Sequence, residues 1–250
     1  MIVAKSILGQ SIEKFPNFNQ YKKWGIQAAA TSYDKATICL QYGEYTFENF
    51  RTLGWSFGFE YDFYPEKQWS FQTGLSIAKE PVYNILVEIP DDELFTEGYG
   101  GVSDRMKGKG AYSLTVPLVV SVKKRLSNKL YGHLIGGLRF LYYKTGSVST
   151  TVTYSNEDES RQIFGMRLTT QEFEYYGGFI IGTGVLWTAK KFLLKTNVVY
   201  VMNFQPIMIG EYQFANLEIS EPTRGNYTLS GNYLALSFTF HFNKPKNNWE

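Results

Sequence analysis

Leu53-Gly-Trp-Ser-Phe-Gly-Phe-Glu-Tyr-Asp-Phe63 alternates without a break. Leu53, Trp55, Phe57, Phe59, Tyr61 and Phe63 take the odd positions, and Gly54, Ser56, Gly58, Glu60 and Asp62 the even ones. A period of two sorts residues onto opposite sides of a β-strand, so this strand has one face of large apolar side chains and one of small or charged ones. Past Pro65-Glu-Lys-Gln68 the split recurs, with Trp69, Phe71, Leu75 and Ile77 against Ser70, Gln72, Gly74, Ser76 and Ala78. From Tyr112, Leu114, Val116, Leu118, Val120 and Val122 oppose Ser113, Thr115, Pro117 and Ser121. Beyond Ser127-Asn128, Leu134, Leu138, Phe140 and Tyr142 oppose His133, Gly137 and Arg139. Three more segments do the same around Phe179, Val198 and Phe238, and Trp24 to Thr31 alternates weakly, which makes eight strands.

The connections alternate in length. Strands two and three, four and five, and six and seven are joined by short hairpin turns. The other four connections, near 32–50, 80–110, 144–171 and 204–231, are long. A compact soluble domain seldom carries several such loops, whereas short turns on one side and long loops on the other are usual for an outer-membrane barrel. The whole chain, 250 residues, suffices for one barrel. Its net charge of +2 offers no basic excess for a nucleic-acid backbone. With 17% aromatic residues, 19% charged residues and 23 glycines it is not a disordered chain. Cys39 is the one cysteine, so a disulfide framework and a cysteine zinc site are excluded. It has no lipobox around it and reads as an inert thiol in the first loop. No apolar run reaches the roughly 18 residues of a membrane helix.

Alternation alone does not say which face turns outward. A lipocalin-like barrel with the aromatics inside would show water a surface of Gly, Ser, Ala and Thr with few charges, a poor soluble surface. With the faces inverted, the small residues fit an eight-stranded lumen and the large ones meet lipid. About ten residues at ~3.3 Å each, tilted near 45°, span roughly 25 Å, the height of a lipid-facing band. Aromatics also gather at strand ends. Trp24, Tyr61, Phe63, Trp69, Trp187, Phe192 and Phe242 would ring the turn side, and Phe140, Tyr142, Phe173, Tyr175 and Phe204 the loop side, as interfacial girdles do. No Lys or Arg falls mid-face, where each would cost about 2–4 kcal/mol. The expected fold is all-β, an eight-stranded antiparallel up-and-down transmembrane β-barrel.

Three stretches resemble a family. Tyr112-Ser-Leu-Thr-Val-Pro-Leu-Val-Val120 is similar to the fourth strand of PorT-like outer-membrane β-barrel domains, Leu130-Tyr-Gly-His-Leu-Ile-Gly-Gly137 to their glycine-bearing fifth strand, and Tyr233 to Phe242 to their closing strand. The resemblance, shared with the OmpA-like transmembrane domain, implies an eight-stranded barrel with periplasmic termini. By analogy it also implies an accessory role in secretion or envelope assembly. Pro117 departs from the rule that proline avoids strand interiors. The start of the chain departs from an export signal, since Met1-Ile-Val-Ala-Lys5 lacks a charged region followed by an apolar core. Residues 1–21 are read as an N-terminal segment, either the tail of a signal with a periplasmic lead-in or an ordinary terminus. Residues 22–243 are the barrel and 244–250 a periplasmic tail.

The candidate chemistry sits on the small-residue face. Glu60, Asp62, His133, Arg139, Glu174, Lys195 and His241 should point into the lumen. Buried charges persist only when paired, so the expectation is a salt-bridge network that plugs the barrel, with Arg139 meeting one of the acids. The competing readings are a gate or ion path, or a hydrolase built from His133 or His241 with Ser121 or Ser237 and an acid. That site would need a Ser–His–acid set within hydrogen-bond reach. Asp91-Asp-Glu93 with Glu97 reads as a solvated acidic loop, because its spacing matches no calcium loop. Gly182-Thr-Gly184 precedes no helix and is no phosphate loop. Ser147 to Tyr154 could pair with Arg161 to Thr170 past Asn156-Glu-Asp-Glu159, as a hairpin above the membrane. Val82 to Ile89 is either a partner surface or loop packed on loop. No catalytic residue, cofactor or metal is expected. The partners expected are outer-membrane lipid around a monomeric barrel, and envelope or secretion proteins at the loops of a diderm bacterium's outer membrane. The alternatives are a lipid-modifying enzyme of the lipid A deacylase kind and a narrow passage for small apolar molecules.

Overall fold

A computed structural model describes residues 15–80, 82–95, 100–108, 110–156 and 158–245. β1 (Trp24–Tyr33) leads into a connection carrying β2 (Thr37–Tyr42) and β3 (Glu48–Asn49). β4 (Thr52–Asp62) and β5 (Trp69–Glu80) form a hairpin, followed by β6 (Asn84–Ile89) and β7 (Val102–Lys107). β8 (Ala111–Arg125) and β9 (Leu130–Tyr143) form the next, followed by β10 (Ser147–Ser155) and β11 (Ser160–Thr170). After the hairpin of β12 (Tyr175–Thr188) and β13 (Phe192–Asn203) come β14 (Met208–Phe214), β15 (Thr223–Leu229) and the closing β16 (Tyr233–Phe242).

Eight strands close into an antiparallel barrel in the order β1-β16-β13-β12-β9-β8-β5-β4. β1 seals it by pairing with both β16 and β4, Ala28 lying opposite Phe238 on one side and Phe57 on the other. The faces are inverted relative to a soluble barrel: Phe57, Phe59, Ile181 and Phe238 are exposed, while Lys123, Arg139, Lys195 and Thr239 are buried. This apolar exterior marks a membrane barrel, since closure also removes the strand edges that lipid would leave unpaired. Among the girdle residues, Trp24 meets Phe242, Tyr61 meets Phe63, Trp187 meets Phe192 and Tyr142 meets Tyr175, with ring centroids 4.9–6.4 Å apart. Trp69, Phe140 and Phe173 are exposed on the same outer face.

Pro117 falls where the β5–β8 ladder is interrupted. Thr73 pairs with Leu118 and Ser76 with Thr115, but Gly74 and Leu75 have no partners between them. The missing proline N–H costs one ladder bond at that point. The Thr73 hydroxyl donates to the Pro117 carbonyl at 2.9 Å and keeps the two strands joined.

Both ends of the barrel are stoppered. At the turn end, Phe15, Phe18 and Tyr21, on and beside a 3-10 turn over Pro16–Gln20, pack with Tyr131, Leu186 and Leu193 of the barrel wall. Phe15, Phe18 and Tyr21, from the N-terminal segment, are therefore part of the barrel's core. Lys22 N–H donates to the Phe242 carbonyl at 2.7 Å and Lys244 N–H to Gln20 at 2.8 Å, so both ends of the described chain meet there. Residues 1–14 and 246–250 lie outside the described residues.

At the other end the four long connections fold into a cap. β10-β11-β14-β15-β2 make one sheet and β3-β6-β7 another. The two share a core of Ile85, Val87, Phe164, Leu168, Phe214 and Tyr227, which continues into Leu141, Tyr143 and Tyr176 of the barrel. Phe47 sits at its centre, with ring centroids 4.9 Å from Tyr212 and 5.6 Å from Phe164. Val82 and the Asn84–Ile89 strand are buried in this core, so that apolar stretch is loop packed on loop. The hairpin of β10 and β11 forms, with one register shift at Val152 and Thr153; Glu157 at its tip lies outside the described residues.

Candidate functional site

The inward positions of β4, β5, β8, β9, β13 and β16 converge on two polar layers in the lumen. In the layer nearer the turns, Lys195 Nζ donates to Glu60 Oε1 at 2.5 Å and to Gln72 Oε1 at 2.7 Å. Lys123 Nζ lies 3.6 Å from Asp62 and donates to the Pro65 carbonyl at 2.9 Å. Gln72 Nε2 donates in turn to Asp62 at 3.2 Å. His241 has Nδ1 3.2 Å from the Lys22 carbonyl and Nε2 3.9 Å from Glu60.

The second layer lies nearer the cap. Arg139 Nη2 donates to Glu80 Oε1 at 3.3 Å, Ser113 donates to the same oxygen at 2.8 Å, and the guanidinium rests 5.0 Å over the Tyr233 ring. A cavity of about 100 Å³ lined by Glu60, Gln72, Asn197, Arg139 and Tyr233 joins the layers. Arg139 Nε and Nη1 have no protein partner among the described residues. Buried guanidinium donors require hydrogen bonds, and this cavity, which Arg139 itself lines, has room for water to supply them.

Of the expected lumen residues, Glu60, Asp62, His133, Arg139, Lys195 and His241 are inside, and Glu174 is not. β12 begins at Tyr175, so Glu174 lies in the preceding connection beside the Tyr142 phenol. The acid that meets Arg139 is Glu80, just past the alternating stretch that marks this strand in the sequence. β5 runs further than its apolar alternation and carries Glu80 into the barrel. Lys123, Gln72 and Asn197 also belong to the lumen network, and the signal that would find them is their inward position on an alternating strand.

One chain of contacts has a chemical pattern. Ser121 Oγ lies 3.5 Å from His133 Nδ1, and His133 Nε2 lies 2.6 Å from Asn197 Oδ1. With the amide oxygen toward the ring, Nε2 donates and Nδ1 is left to accept from serine, the sense of a Ser–His–Asn relay. Gly184 makes the space: a Cβ there would collide with Asn197 Oδ1 and the Thr196 carbonyl. Ser121 is wholly buried, and the lumen cavity is lined by Asn197 and Ser237 but by neither Ser121 nor His133. His241, the other histidine, is held by the Lys22 carbonyl.

The acidic loop behaves differently from its composition. Glu93 is buried and ties three connections together. Its carboxylate accepts from the Tyr45 hydroxyl at 2.9 Å, from Ser220 N–H at 3.0 Å, from Ile219 N–H at 3.2 Å, and from the Ser220 hydroxyl. Burial raises its pKa, but the hydrogen bonds from Ser220, Tyr45 and Ile219 outweigh that and hold the carboxyl below its ordinary range. Burial and the bond to Glu93 push the Tyr45 phenol up to about 12. Glu97 lies outside the described residues, and among the described residues no group of His, Cys, Asp and Glu could hold a metal ion.

No family model and no curated protein matches the chain. Among solved structures it is similar to the outer membrane protein OprG from Pseudomonas aeruginosa, at 13% identity and a TM-score of 0.45, over 94% of this chain and 100% of that one. Another is the N-terminal β-barrel domain of Pseudomonas aeruginosa OprF, at 10% identity and 0.34, over 89% and 100%. A third is the outer membrane protease OmpT from Escherichia coli, at 9% and 0.30, over 90% and 98%. The likeness is to outer-membrane barrels. The membrane assignment itself rests on the exposed apolar belt and the charged lumen of this chain.

Proposed function

We propose that this protein is a non-catalytic barrel of the outer membrane, monomeric within its lipid, whose folded cap is a contact surface outside the cell. The observation that carries the reading is the doubly stoppered, ion-paired lumen. With Phe15 and Phe18 in one mouth, the cap core across the other and three ion pairs between, the cap is the main surface the protein offers to partners. Buried charges balanced this way favour a solid pillar over a passage for small apolar molecules. An accessory role in secretion or envelope assembly rests on the strand motifs around Tyr112 and Leu130 alone. The orientation has a direct test, because Cys39 is exposed on β2 of the cap. A membrane-impermeant maleimide should label Cys39 on intact cells; labelling only after the outer membrane is permeabilised would put the cap in the periplasm and overturn the reading.

A second reading, a lipid-modifying enzyme, is favoured by the Ser121–His133–Asn197 relay. It would require lipid to reach a serine that faces away from the bilayer. Ser121→Ala and His133→Ala should leave the lipid A profile of the producing strain unchanged. A lost or shifted lipid A species in either variant would replace the non-catalytic reading with this one.

A further inference from the structure

The outer face of the five-stranded sheet is organised in rows that cross all its strands. Thr151, Gly165, Gln213, Arg224 and Tyr42 pair in succession across β10, β11, β14, β15 and β2. The next row is Ser149, Arg167, Glu211, Asn226 and Cys39. Directly paired residues point to the same side of a sheet, and these are the positions between the buried Phe164, Met166, Tyr212 and Tyr227. The face is therefore polar along both rows except at Gly165, Cys39 and the terminal Tyr42.

Gly165 interrupts the first row. With no side chain there, the sheet carries a depression of about 240 Å³ lined by Ser149, Gln162, Arg167, Glu211, Gln213 and Arg224. The charges around it do not neutralise one another. Arg167 stands directly opposite Glu211, yet among the described residues Arg167, Arg224 and Glu211 form no ion pair. Elsewhere in the same cap Arg161 is paired at 2.8 Å with both Glu159 and Glu218, so opposite charges within reach do close.

We propose that this depression binds an acidic oligosaccharide supplied from solution. Two guanidinium groups with one carboxylate favour a ligand bearing a carboxylate, which arginine recognises through paired N–H donors. The hydroxyls and amides of Ser149, Thr151, Gln162 and Gln213 offer both donors and acceptors, the complement of a ring of hydroxyls. Tyr42 ends the row beside Arg224 and gives a flat apolar surface for a sugar face. A peptide would want apolar anchor pockets that this floor lacks, and a nucleic acid a broader basic stripe. The volume lies just under the usual small-molecule range of about 300 Å³ and upward, which fits a single ring with its neighbour left in solvent.

The test uses the full-length protein refolded in detergent, so its result is independent of which side of the membrane the cap occupies. Digalacturonate is titrated by calorimetry beside neutral galactobiose and sulfate. Digalacturonate should bind, and galactobiose and sulfate should each bind at least about tenfold more weakly, the weight of one charge-assisted contact. Arg167→Gln and Arg224→Gln should each weaken digalacturonate about tenfold. Gly165→Thr should abolish binding while leaving the heat-dependent gel mobility intact, because the atoms near an added Cβ belong to the flexible end of Gln162. Equal affinity for galactobiose, sulfate binding as tight as digalacturonate, indifference to all three substitutions, or no digalacturonate binding would each overturn the proposal.

Discussion

Lys195 is a buried cation held by two partners in the lumen. Its ammonium is buried and satisfied by Glu60 and Gln72, and removing it leaves the Glu60 carboxylate with only a distant histidine. Breaking a buried pair from one side costs about 3–5 kcal/mol, while replacing both partners by uncharged groups costs far less. Lys195→Met should therefore lower the unfolding free energy of the refolded barrel, measured by urea denaturation, by that order, and adding Glu60→Gln should recover most of the loss. A double variant as unstable as the single would show that Lys195 acts through packing and not through charge. The lumen position of these residues was legible from the period of two, because Lys195 and Glu60 stand among small residues on the face away from the aromatics. Their pairing was not legible, since alternation says which face a residue takes but not which residue of a distant strand faces it.

At the scale of elements, the cap depends on Glu93. The short 3-10 turn Asp91–Glu93 projects this carboxylate into hydrogen bonds from the Tyr45 and Ser220 connections, which join β2 to β3 and β14 to β15. Because the folded carboxyl titrates below its ordinary range, its contribution is complete above the unfolded value of about 4.3 and fades as pH falls through the folded value. Acidification below about pH 4 should lower the hydrogen-exchange protection factors of the cap strands, measured against the intrinsic rate at each pH, before those of the barrel. Glu93→Gln should produce the same loosening at neutral pH, at a cost of about 1.5–3 kcal/mol. Cap exchange that is indifferent to both acid and the substitution would show that the apolar core around Phe47 suffices without Glu93. Nothing in Asp91-Asp-Glu93 distinguishes the buried acid from its neighbours, because its donors come from residues 45, 219 and 220.

For the whole molecule, the stoppered lumen predicts an inert barrel. Planar bilayers holding the refolded protein should show no stepwise ion conductance, and unboiled samples should migrate differently from boiled ones on gels, as closed barrels do. Steady channel openings would mean that the Phe15–Phe18 plug or the cap leaves the mouth, and would favour a passage. The eight spanning strands, their inverted faces and the aromatic positions at their ends are legible in the residue order, because each strand lies between two different environments and records both at every second residue. The partners emerge only from the folded chain: Glu80 for Arg139, Asn197 for His133, Tyr45 and Ser220 for Glu93, and the pairing of β2 with β15 from the far end of the sequence. Those contacts join residues dozens to well over a hundred positions apart, and a period of two says nothing of which distant strand stands next to which.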